Sequence, residues 1–510
     1  MEFMISRFFL FTFLSSAALT AAMGLTAAMG QPLALAEPAL AESEAEFPPL
    51  FEDWAEEEPK LILFFTGFLD GYIEPCGCAG IDQMKGGLSR RHTCLQQLER
   101  KGWEILPIDA GNLNKGFGLQ EELKFNFVID EAYRLMRYQA VGLGNRELLF
   151  PTDTLFLYTI DVPGSPKRYT SANIGILEFT PEIVMPYRIL EKAGMKIAVV
   201  SVMGDSLRRT ITNEDIVTAN AAAKLREILP NLEDEKCDKK VLIIYGTDNE
   251  TALLIDQFAE QFDFILPSHT PAEPPLRPKK IGETMILEIG EKGRYAIAIG
   301  LFDEPDEPVR YERIPLDARY DNSPTILELM KMYQDQLRAS GLEGLGIRPI
   351  PNSRLETQGN YVGVQSCTDC HETAHTIWRR TGHARAWQTL KETAVPPRNF
   401  DPECIACHVV GWNAAELLPY QGGFLSERET PRLASVGCEA CHGPGEQHAR
   451  AEIGTNTALQ SRLRSAIRLP VEGGLARRHC LTCHDGDNSP HFDFETYWQK
   501  IEHKEEDIFD

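Results

Sequence analysis

The sequence predicts an α/β domain over residues 61–320 and a mainly α, loop-rich domain over residues 361–510. In the first of these, short apolar runs alternate with amphipathic segments. This alternation is typical of a largely parallel sheet covered by helices on both faces. In the second, a five-residue motif recurs four times, and the chain between the copies is expected to form helical turns and loops rather than sheet. We call the two parts the front region and the C-terminal region.

The first strand is predicted at Leu61–Thr66, a continuous apolar run of the kind that is buried on both faces. A helix at 87–101 and a strand at 104–109 follow it. The alternation continues with strands near 139–143, 196–203, 241–246 and 263–266 and helices near 120–136, 218–229 and 249–262. The runs 284–289 and 295–301, joined by a loop with a glycine at each end, predict a closing β-hairpin.

A helix is predicted to begin at Ser323-Pro324, with the serine as N-cap and the proline in the first turn, and to run to about Arg338. Glycines end it, and residues 347–360, which contain two prolines, are typical of a linker. The predicted organisation is therefore a helix and linker over 321–360 between two domains.

Residues 1–36 have the features of a secretory signal. Arg7 precedes a long apolar run, and Ala34-Leu35-Ala36 fits the cleavage rule, with residues 39–41 as a second candidate. The run is long enough that an uncleaved membrane anchor is the alternative. Residues 37–60 are predicted to be a solvated acidic leader. In both cases the rest of the chain is expected to be exported, for example to the periplasm.

The overall composition indicates a soluble globular protein outside the signal. Hydrophobic residues make up 43% and charged residues 25% of the chain, and the net charge is −24. That charge argues against nucleic acid and against an anionic membrane surface as partners. A redox partner protein is the partner that we expect, with membrane contact only if the signal stays uncleaved.

The motif that recurs in the C-terminal region is Cys-x-x-Cys-His. Its copies contribute the thiol pairs Cys367 and Cys370, Cys404 and Cys407, Cys438 and Cys441, and Cys480 and Cys483, followed by His371, His408, His442 and His484. This is the attachment pattern of c-type haem: two thiols bind one porphyrin and the histidine binds its iron. Zinc is the alternative, but zinc would not need a histidine after every pair. The sequence thus predicts four covalently bound haems.

Further histidines are available to complete six-coordinate irons. Ten of the 12 histidines follow residue 360, and six of these lie outside the motifs. They are His375, His383, His448, His479, His491 and His503. Because a six-coordinate haem needs a second imidazole, this supply roughly matches the demand.

The C-terminal region resembles the tetrahaem cytochrome c that accepts electrons from hydroxylamine oxidoreductase in nitrifying bacteria. The likeness lies in Trp378-Arg-Arg-Thr-Gly-His383, Cys407-His-Val-Val-Gly411, Gly422-Gly-Phe424 and Val436-Gly-Cys-Glu-Ala-Cys-His442 with His448. The resemblance implies that His448 caps the iron of His371 and that His383 caps the iron of His442. It also implies that the iron of His408 is open to a small ligand such as nitric oxide.

The fourth motif departs from that family. Leu475 stands about where the family has its distal histidine, and His479 directly precedes Cys480. The second ligand of the His484 iron is therefore left open among His479, His491 and His503.

The front region resembles the UshA/5′-nucleotidase branch of the calcineurin-like metallophosphatases. The likeness lies in Phe65–Tyr72, Gly86–Arg90, Asp109–Asn112, Gly144–Glu147 and Pro267–Thr270. The family binds two metal ions with carboxylates and histidines, but four of these positions read Phe68, Asn112, Arg146 and Pro271 here. The remaining Asp70, Asn145 and His269 cannot build a two-metal site alone. The resemblance therefore implies a metallophosphatase-like fold without phosphatase activity.

Cys76 and Cys78, in Glu74-Pro-Cys-Gly-Cys78, follow the first strand at the edge where such folds bind ligands. The motif resembles a Cys-Gly-Cys found at this point in UshA-like proteins. Two thiols around a glycine could form an oxidising disulfide or bind a soft metal. The alternative is a structural disulfide, for example with Cys94.

Together these features predict an exported tetrahaem electron-transfer protein fused to a non-hydrolytic metallophosphatase-like domain, with a possible thiol redox site. Two alternatives remain open. One is a haem enzyme that acts on a nitrogen-oxide species at the His408 haem, and the other is a phosphoesterase or nucleotidase with unusual metal ligands.

Overall fold

The structure, a computed structural model, describes residues 47–54, 58–75, 84–160 and 168–503. Residues Pro49–Asp510 form one compact unit, and of the other unit, Met1–Pro48, the structure describes only residues 47–48. The predicted signal, most of the acidic leader, and the thiols Cys76 and Cys78 lie outside the described residues.

No helix in the described ranges is both long and apolar enough to cross a membrane.

The front region contains two six-stranded sheets within the described residues. The first has the order β14 (Val309–Pro315), β13 (Tyr295–Leu301), β1 (Leu61–Thr66), β2 (Ile105–Asp109), β3 (Ala140–Gly142) and β4 (Tyr169–Thr170). The second has the order β11 (Lys279–Ile281), β12 (Thr284–Ile286), β10 (Phe264–Pro267), β9 (Lys239–Tyr245), β7 (Met195–Met203) and β6 (Tyr187–Lys192). A smaller pair joins β5 (Ile174–Ile176) to β8 (Ile216–Thr218).

The α/β fold class is confirmed, but the prediction of one sheet with helices on both faces is wrong. Strands β1 to β4 are parallel neighbours, and so are β7, β9, β10 and β12, as expected from the alternating pattern. The sheets share one hydrophobic core, in which the rings of Phe65 and Phe264 lie 6.1 Å apart. A second core cluster lies between the second sheet and the helices on its outer face. Each sheet therefore packs one face against the other sheet.

The predicted hairpin over 284–301 is also wrong. Strand β12 pairs with β10 and β11 in the second sheet, whereas β13 pairs with β1 and β14 in the first. The loop 290–293 crosses between the sheets, with Gly290 and Gly293 at positive φ. All seven residues of β13 are buried, and such a strand needs a neighbour on each side.

Helices cover the outer faces of the sheets. In the front region they are α1 (Leu88–Arg100), α2 (Leu119–Lys124), α3 (Asp130–Leu135), α4 (Thr152–Thr159), α5 (Asp205–Arg208), α6 (Ala221–Asp234) and α7 (Asp248–Phe258). A π-helical turn, Phe125–Ile129, joins α2 to α3.

Helix α8 (Pro324–Gly344) begins where predicted, and its regular part ends at a glycine as expected, because Gly341 (φ 60°) interrupts the helical geometry before a last turn to Gly344. Ser323 occupies the N-cap position without a side-chain capping bond, because its hydroxyl lies 2.7 Å from His92 Nδ1 on α1. The apolar side chains Ile326, Met330 and Tyr333 of α8 are part of the core shared by the two sheets. The helix is thus packed into the front region.

The C-terminal region is mainly helical and rich in loops, as predicted. Its helices are α9 (Leu355–Gln358), α10 (Gln365–Thr368), α11 (Glu372–Arg379), α12 (Ala386–Gln388), α13 (Pro402–His408), α14 (Cys438–His442), α15 (Glu446–Glu452), α16 (Thr457–Ile467), α17 (Leu475–Cys480) and α18 (Phe494–Trp498). Two short strands, β15 (Trp412–Asn413) and β16 (Leu418–Pro419), form a ribbon. One small apolar cluster around Trp387 and Phe424 is its described core.

Candidate functional site

The Cys-x-x-Cys-His motifs lie in or beside short helices. The second motif ends α13, the third is α14 itself, and the fourth begins at the end of α17. Residues three apart in a helix lie on the same face, so the two thiols of each motif can reach one ligand. In the second motif, Pro402 and the N-cap Asp401 start the helix, and Asp401 Oδ1 accepts the N–H of Glu403 at 3.0 Å.

Three of the motif histidines have Nδ1 at hydrogen-bonding distance from an oxygen atom. His408 Nδ1 donates to the carbonyl of Ala386 at 2.6 Å, and His442 Nδ1 donates to the carbonyl of Ile467 at 2.8 Å. His484 Nδ1 lies 2.9 Å from Ser489 Oγ. A carbonyl only accepts, so Nδ1 carries the proton and Nε2 keeps its lone pair for a metal. This is the arrangement of iron-ligating histidines.

Imidazole rings also face one another in pairs. The ring centres of His371 and His448 lie 6.2 Å apart. Those of His383 and His484 lie 6.0 Å apart, and those of His442 and His503 lie 5.8 Å apart. A metal–imidazole bond is about 2 Å long and the ring centre lies about 1 Å behind the nitrogen, so two imidazoles on opposite sides of one ion have centres about 6 Å apart. The described residues fit haem iron at all three pairs.

These pairs differ in part from those implied by the family resemblance. His371 and His448 come together as expected. His383, however, faces His484 and not His442, so the implied pairing of His383 with His442 does not match the structure. The turn Gly382–Arg385 brings His383 beside the end of the fourth motif, and His503 lies beside His442 instead.

The remaining histidines lie elsewhere. His479 Nε2 donates to the carbonyl of Ala440 at 3.0 Å, His491 is exposed, and His375 stacks on Trp378 with ring centres 5.6 Å apart. His408 is buried with a relative exposure of 9%. That the His408 iron is open to a small ligand stays a prediction.

Burial lowers the pKa of four of the paired imidazoles, those of His383, His442, His448 and His484, which favours the neutral form that metal binding requires. Burial lowers the pKa of His383 to about 4, and neighbouring His484 and His408 lower it further. Burial also lowers the pKa of His442 and His448, in the latter case against the carboxylate of Glu452.

The motif thiols show which motifs are neighbours. A hydrogen bond with Cys438 is the largest cause of the raised pKa of Cys367, so the first and third motifs adjoin. A hydrogen bond with Cys407 lowers the pKa of Cys483, so the second and fourth motifs adjoin. Burial raises the pKa of Cys441 to about 12, and the nearby thiols of the fourth motif add to this. The third and fourth motifs are therefore neighbours as well.

In the front region, two residues at the positions where the resembled family binds metal form an ion pair. Arg146 Nε lies 3.4 Å from Asp70 Oδ1, and burial raises the pKa of that carboxyl although Arg146 lowers it. Asn112 Nδ2 donates to Asn145 Oδ1 at 3.3 Å. His269 is exposed and pairs with Asp248. Among the described residues, no group of three or more His, Cys, Asp or Glu side chains could hold a metal ion.

Cys76 and Cys78 are outside the described residues, so their predicted redox or metal role stays a prediction. The residues that precede them are described. Pro75 packs against Gly87, whose positive φ and close approach leave no room for a side chain. The alternative disulfide partner, Cys94, is fully buried next to Tyr320, and burial raises the pKa of its thiol to about 12.

The front region contacts the segment just before the second motif. Arg398 Nε and Nη2 donate to the two carboxylate oxygens of Glu74, each at 2.5 Å. Asp401 accepts from Gln120 and Gln334, each at 3.1 Å. These contacts could not be found from the sequence, because no spacing or motif connects their partners.

A further contact is buried. Lys124 Nζ lies 2.9 Å from Glu403 and 2.8 Å from Glu121, and its side chain is 1% exposed. These two carboxylates keep the ammonium charged, and its pKa is raised well above the ordinary value despite burial.

The four motifs, the Nδ1 partners and the imidazole pairs define a c-type cytochrome region with more than one haem. Residues 366–443 match the sequence model of the family described as "Cytochrome c554 and c-prime". Cytochrome c-554 of Nitrosomonas europaea is 32% identical over 103 residues, which make up 18% of this chain and 41% of that relative. The chain thus spans less than half the length of this curated relative. The match implies covalently bound haem c.

The front region is similar to solved structures of another class. They include a 5′-nucleotidase precursor from Thermus thermophilus, with 16% identity, a TM-score of 0.45, and coverage of 55% of this chain and 59% of that one. The sulfate thiohydrolase SoxB from Thermus thermophilus has 14% identity and a TM-score of 0.45, covering 56% and 62%. The calcineurin-like phosphoesterase YfkN from Bacillus subtilis has 14% identity and a TM-score of 0.40, covering 54% and 97%. They include members of the class that the motifs of the front region resemble.

Proposed function

We propose that this chain is an exported tetrahaem cytochrome c that transfers electrons to or from a redox partner protein. The observation that carries the proposal is the set of three imidazole pairs with ring centres 5.8–6.2 Å apart, each containing one motif histidine. When bound, the haems supply one-electron chemistry. Export is supported by the predicted signal and agrees with the covalent attachment of the cofactor.

The thiols that lie close together indicate in which spatial order the proposed haem attachment sites follow one another. The first motif adjoins the third, the third adjoins the fourth, and the fourth adjoins the second. This proximity supports one continuous row of four attachment sites. Two imidazoles on one iron close it to small ligands, which favours electron relay over catalysis at those three positions.

The front region is proposed to be non-hydrolytic. Arg146 supplies a fixed positive charge to Asp70 where the family uses metal ions, and an arginine cannot activate water as a metal does.

The mass of the intact exported protein tests the haem count. We expect the added mass of four haems, with one lost in each variant in which both thiols of a motif are replaced by alanine. A reduced-minus-oxidised spectrum of the same sample should show c-type absorption that titrates with electrons. A mass showing two haems or fewer contradicts the proposal.

A further inference from the structure

The loop that follows the fourth motif, residues 485–489, is a tight turn. Asp485 Oδ1 accepts the N–H groups of Asp487 and Asn488 at 3.0 and 2.8 Å. The N–H of Ser489 donates to the carbonyl of Asp485 at 2.8 Å. The turn therefore carries Ser489 back beside the histidine at which the motif ends.

Ser489 supplies the Nδ1 partner of His484, at 2.9 Å. In the second and third motifs this partner is a backbone carbonyl, of Ala386 or Ile467. A carbonyl is fixed by the main chain, whereas a hydroxyl rotates and moves with its loop. The geometry of the hydrogen bond at His484 therefore depends on the position of the turn that contains Ser489.

The turn is held from outside by the front region. Asp487 pairs with Lys292 Nζ, and its other oxygen accepts from Arg294 Nη2 at 2.6 Å. The three side chains are only 21–34% exposed, so solvent screens these charges less than it would at the surface. The backbone N–H of Lys292 donates to the carbonyl of Phe68 at 2.7 Å, which connects the basic pair to the segment just after β1.

We propose that Asp487 is a positioning residue for the fourth haem, through which Lys292 and Arg294 of the front region hold Ser489 against His484. This inference rests on the proposed function, since it needs a haem at Cys480 and Cys483. A hydrogen-bond acceptor on Nδ1–H raises the basicity of the iron-bound nitrogen and favours ferric iron. The front region thereby keeps the reduction potential of one haem in four lower than it would otherwise be.

The test uses single-residue variants of the full-length exported protein in a potentiometric titration. Ser489→Ala should raise the potential of the fourth haem, and Asp487→Asn should shift it in the same direction. We expect about a tenfold change in the ferric-to-ferrous ratio, about 59 mV for one electron, which is of the order of the smaller effects that such hydrogen-bond partners have on metal affinity or activity. A variant with Cys480→Ala and Cys483→Ala lacks that haem and identifies its transition. The combined Asp487→Asn/Ser489→Ala variant should shift no further than Ser489→Ala alone.

Two more variants separate positioning from simple attachment of the two regions. Lys292→Ala/Arg294→Ala should reproduce the Asp487→Asn shift. Lys239→Ala, which removes an ion pair with Asp263 of similar exposure within the front region, should leave all four potentials unchanged. Four haems with unchanged potentials in Asp487→Asn and Ser489→Ala would overturn this inference alone. A wild-type mass lacking the fourth haem would overturn the four-haem proposal with it.

Discussion

Arg398 in the C-terminal region binds both carboxylate oxygens of Glu74, a residue two positions before the first thiol of the Cys-Gly-Cys motif. The Arg398 side chain is 8% exposed and that of Glu74 is 26% exposed. The stability of the fold depends on this pair, because a buried arginine without its carboxylate would be an unpaired buried charge, which is strongly unfavourable.

Glu74→Gln should therefore destabilise the protein by about 2 kcal/mol, since it leaves the Arg398 charge without its carboxylate. Urea unfolding followed by circular dichroism measures this. The control is Glu328→Gln, which breaks a pair with Lys331 whose side chains are 62% and 56% exposed, and it should cost at most about 0.5 kcal/mol. Equal midpoints for the two variants would show that the Glu74 contact does not stabilise the fold.

The imidazole pairs predict which histidines close the irons. His448→Ala, His383→Ala and His503→Ala should each allow one additional haem per reduced chain to bind carbon monoxide, because each removes one of two axial ligands. His479→Ala and His491→Ala are the matched controls and should add none.

The partner of His383 can be identified by combining variants. In a chain that lacks the fourth haem through Cys480→Ala/Cys483→Ala, His383→Ala should add no carbon monoxide site. If it adds one there, His383 serves a different iron, and the pairing with His484 is wrong.

The front region should not hydrolyse phosphate esters with added magnesium, manganese or zinc. The guanidinium of Arg146 beside Asp70 repels a cation, and Asn112 cannot bridge two ions as a carboxylate does. Release of phosphate from nucleoside monophosphates is the assay. Turnover of order 1–1000 per second would contradict the prediction. The variant Asn112→Asp/Arg146→His should bind manganese more tightly than the wild type, as measured by calorimetry.

Glu147 should make the stability of the fold depend on pH. Burial raises its pKa from 4.5 to about 7, although the N–H groups of Leu113, Asn112 and Gly144 donate to its oxygens. The folded-state pKa is higher than the unfolded one, so the stabilisation is complete below about pH 4.5 and lost as the pH rises through about 7. The shift, 7 minus 4.5, corresponds to about 3 kcal/mol at about 1.4 kcal/mol per unit.

Unfolding midpoints between pH 5 and 8 measure this dependence. Glu147→Gln cannot ionise and should flatten the curve, even if the loss of one acceptor oxygen lowers stability at every pH. Parallel curves for the two proteins would contradict the assignment.

Elements fixed by local pattern were predictable from the sequence. The apolar run at Leu61–Thr66 forms β1 with the predicted bounds, and α1 lies within one residue of its predicted ends. The proline after Ser323 correctly indicated the start of α8. The Cys-x-x-Cys-His motifs are also local, since each needs only residues three and four apart, and they indicated a c-type cytochrome region before the family match did.

Features that depend on distant pairing were not predictable. The apolar runs that contain β12 and β13 fit the sequence pattern of a hairpin. In the structure, however, β12 pairs with β10 and β13 pairs with β1, in two different sheets. The second ligand of the His484 iron was left open among His479, His491 and His503 for the same reason. In the structure the ring beside His484 is that of His383, about 100 positions earlier, and His503 lies beside His442. The contacts of Lys292 and Arg294 with Asp487 span nearly 200 positions and have no signature in the sequence.

Lys124 makes the front region and the C-terminal region depend on each other for stability. Its ammonium is shared between Glu121 of the same helix and Glu403 of the other region, and almost none of it reaches solvent. A front region expressed alone would lose the Glu403 carboxylate that pairs with Lys124, and a C-terminal region expressed alone would lose the donors to Asp401. We therefore expect each region expressed alone to be less stable than it is within the whole chain.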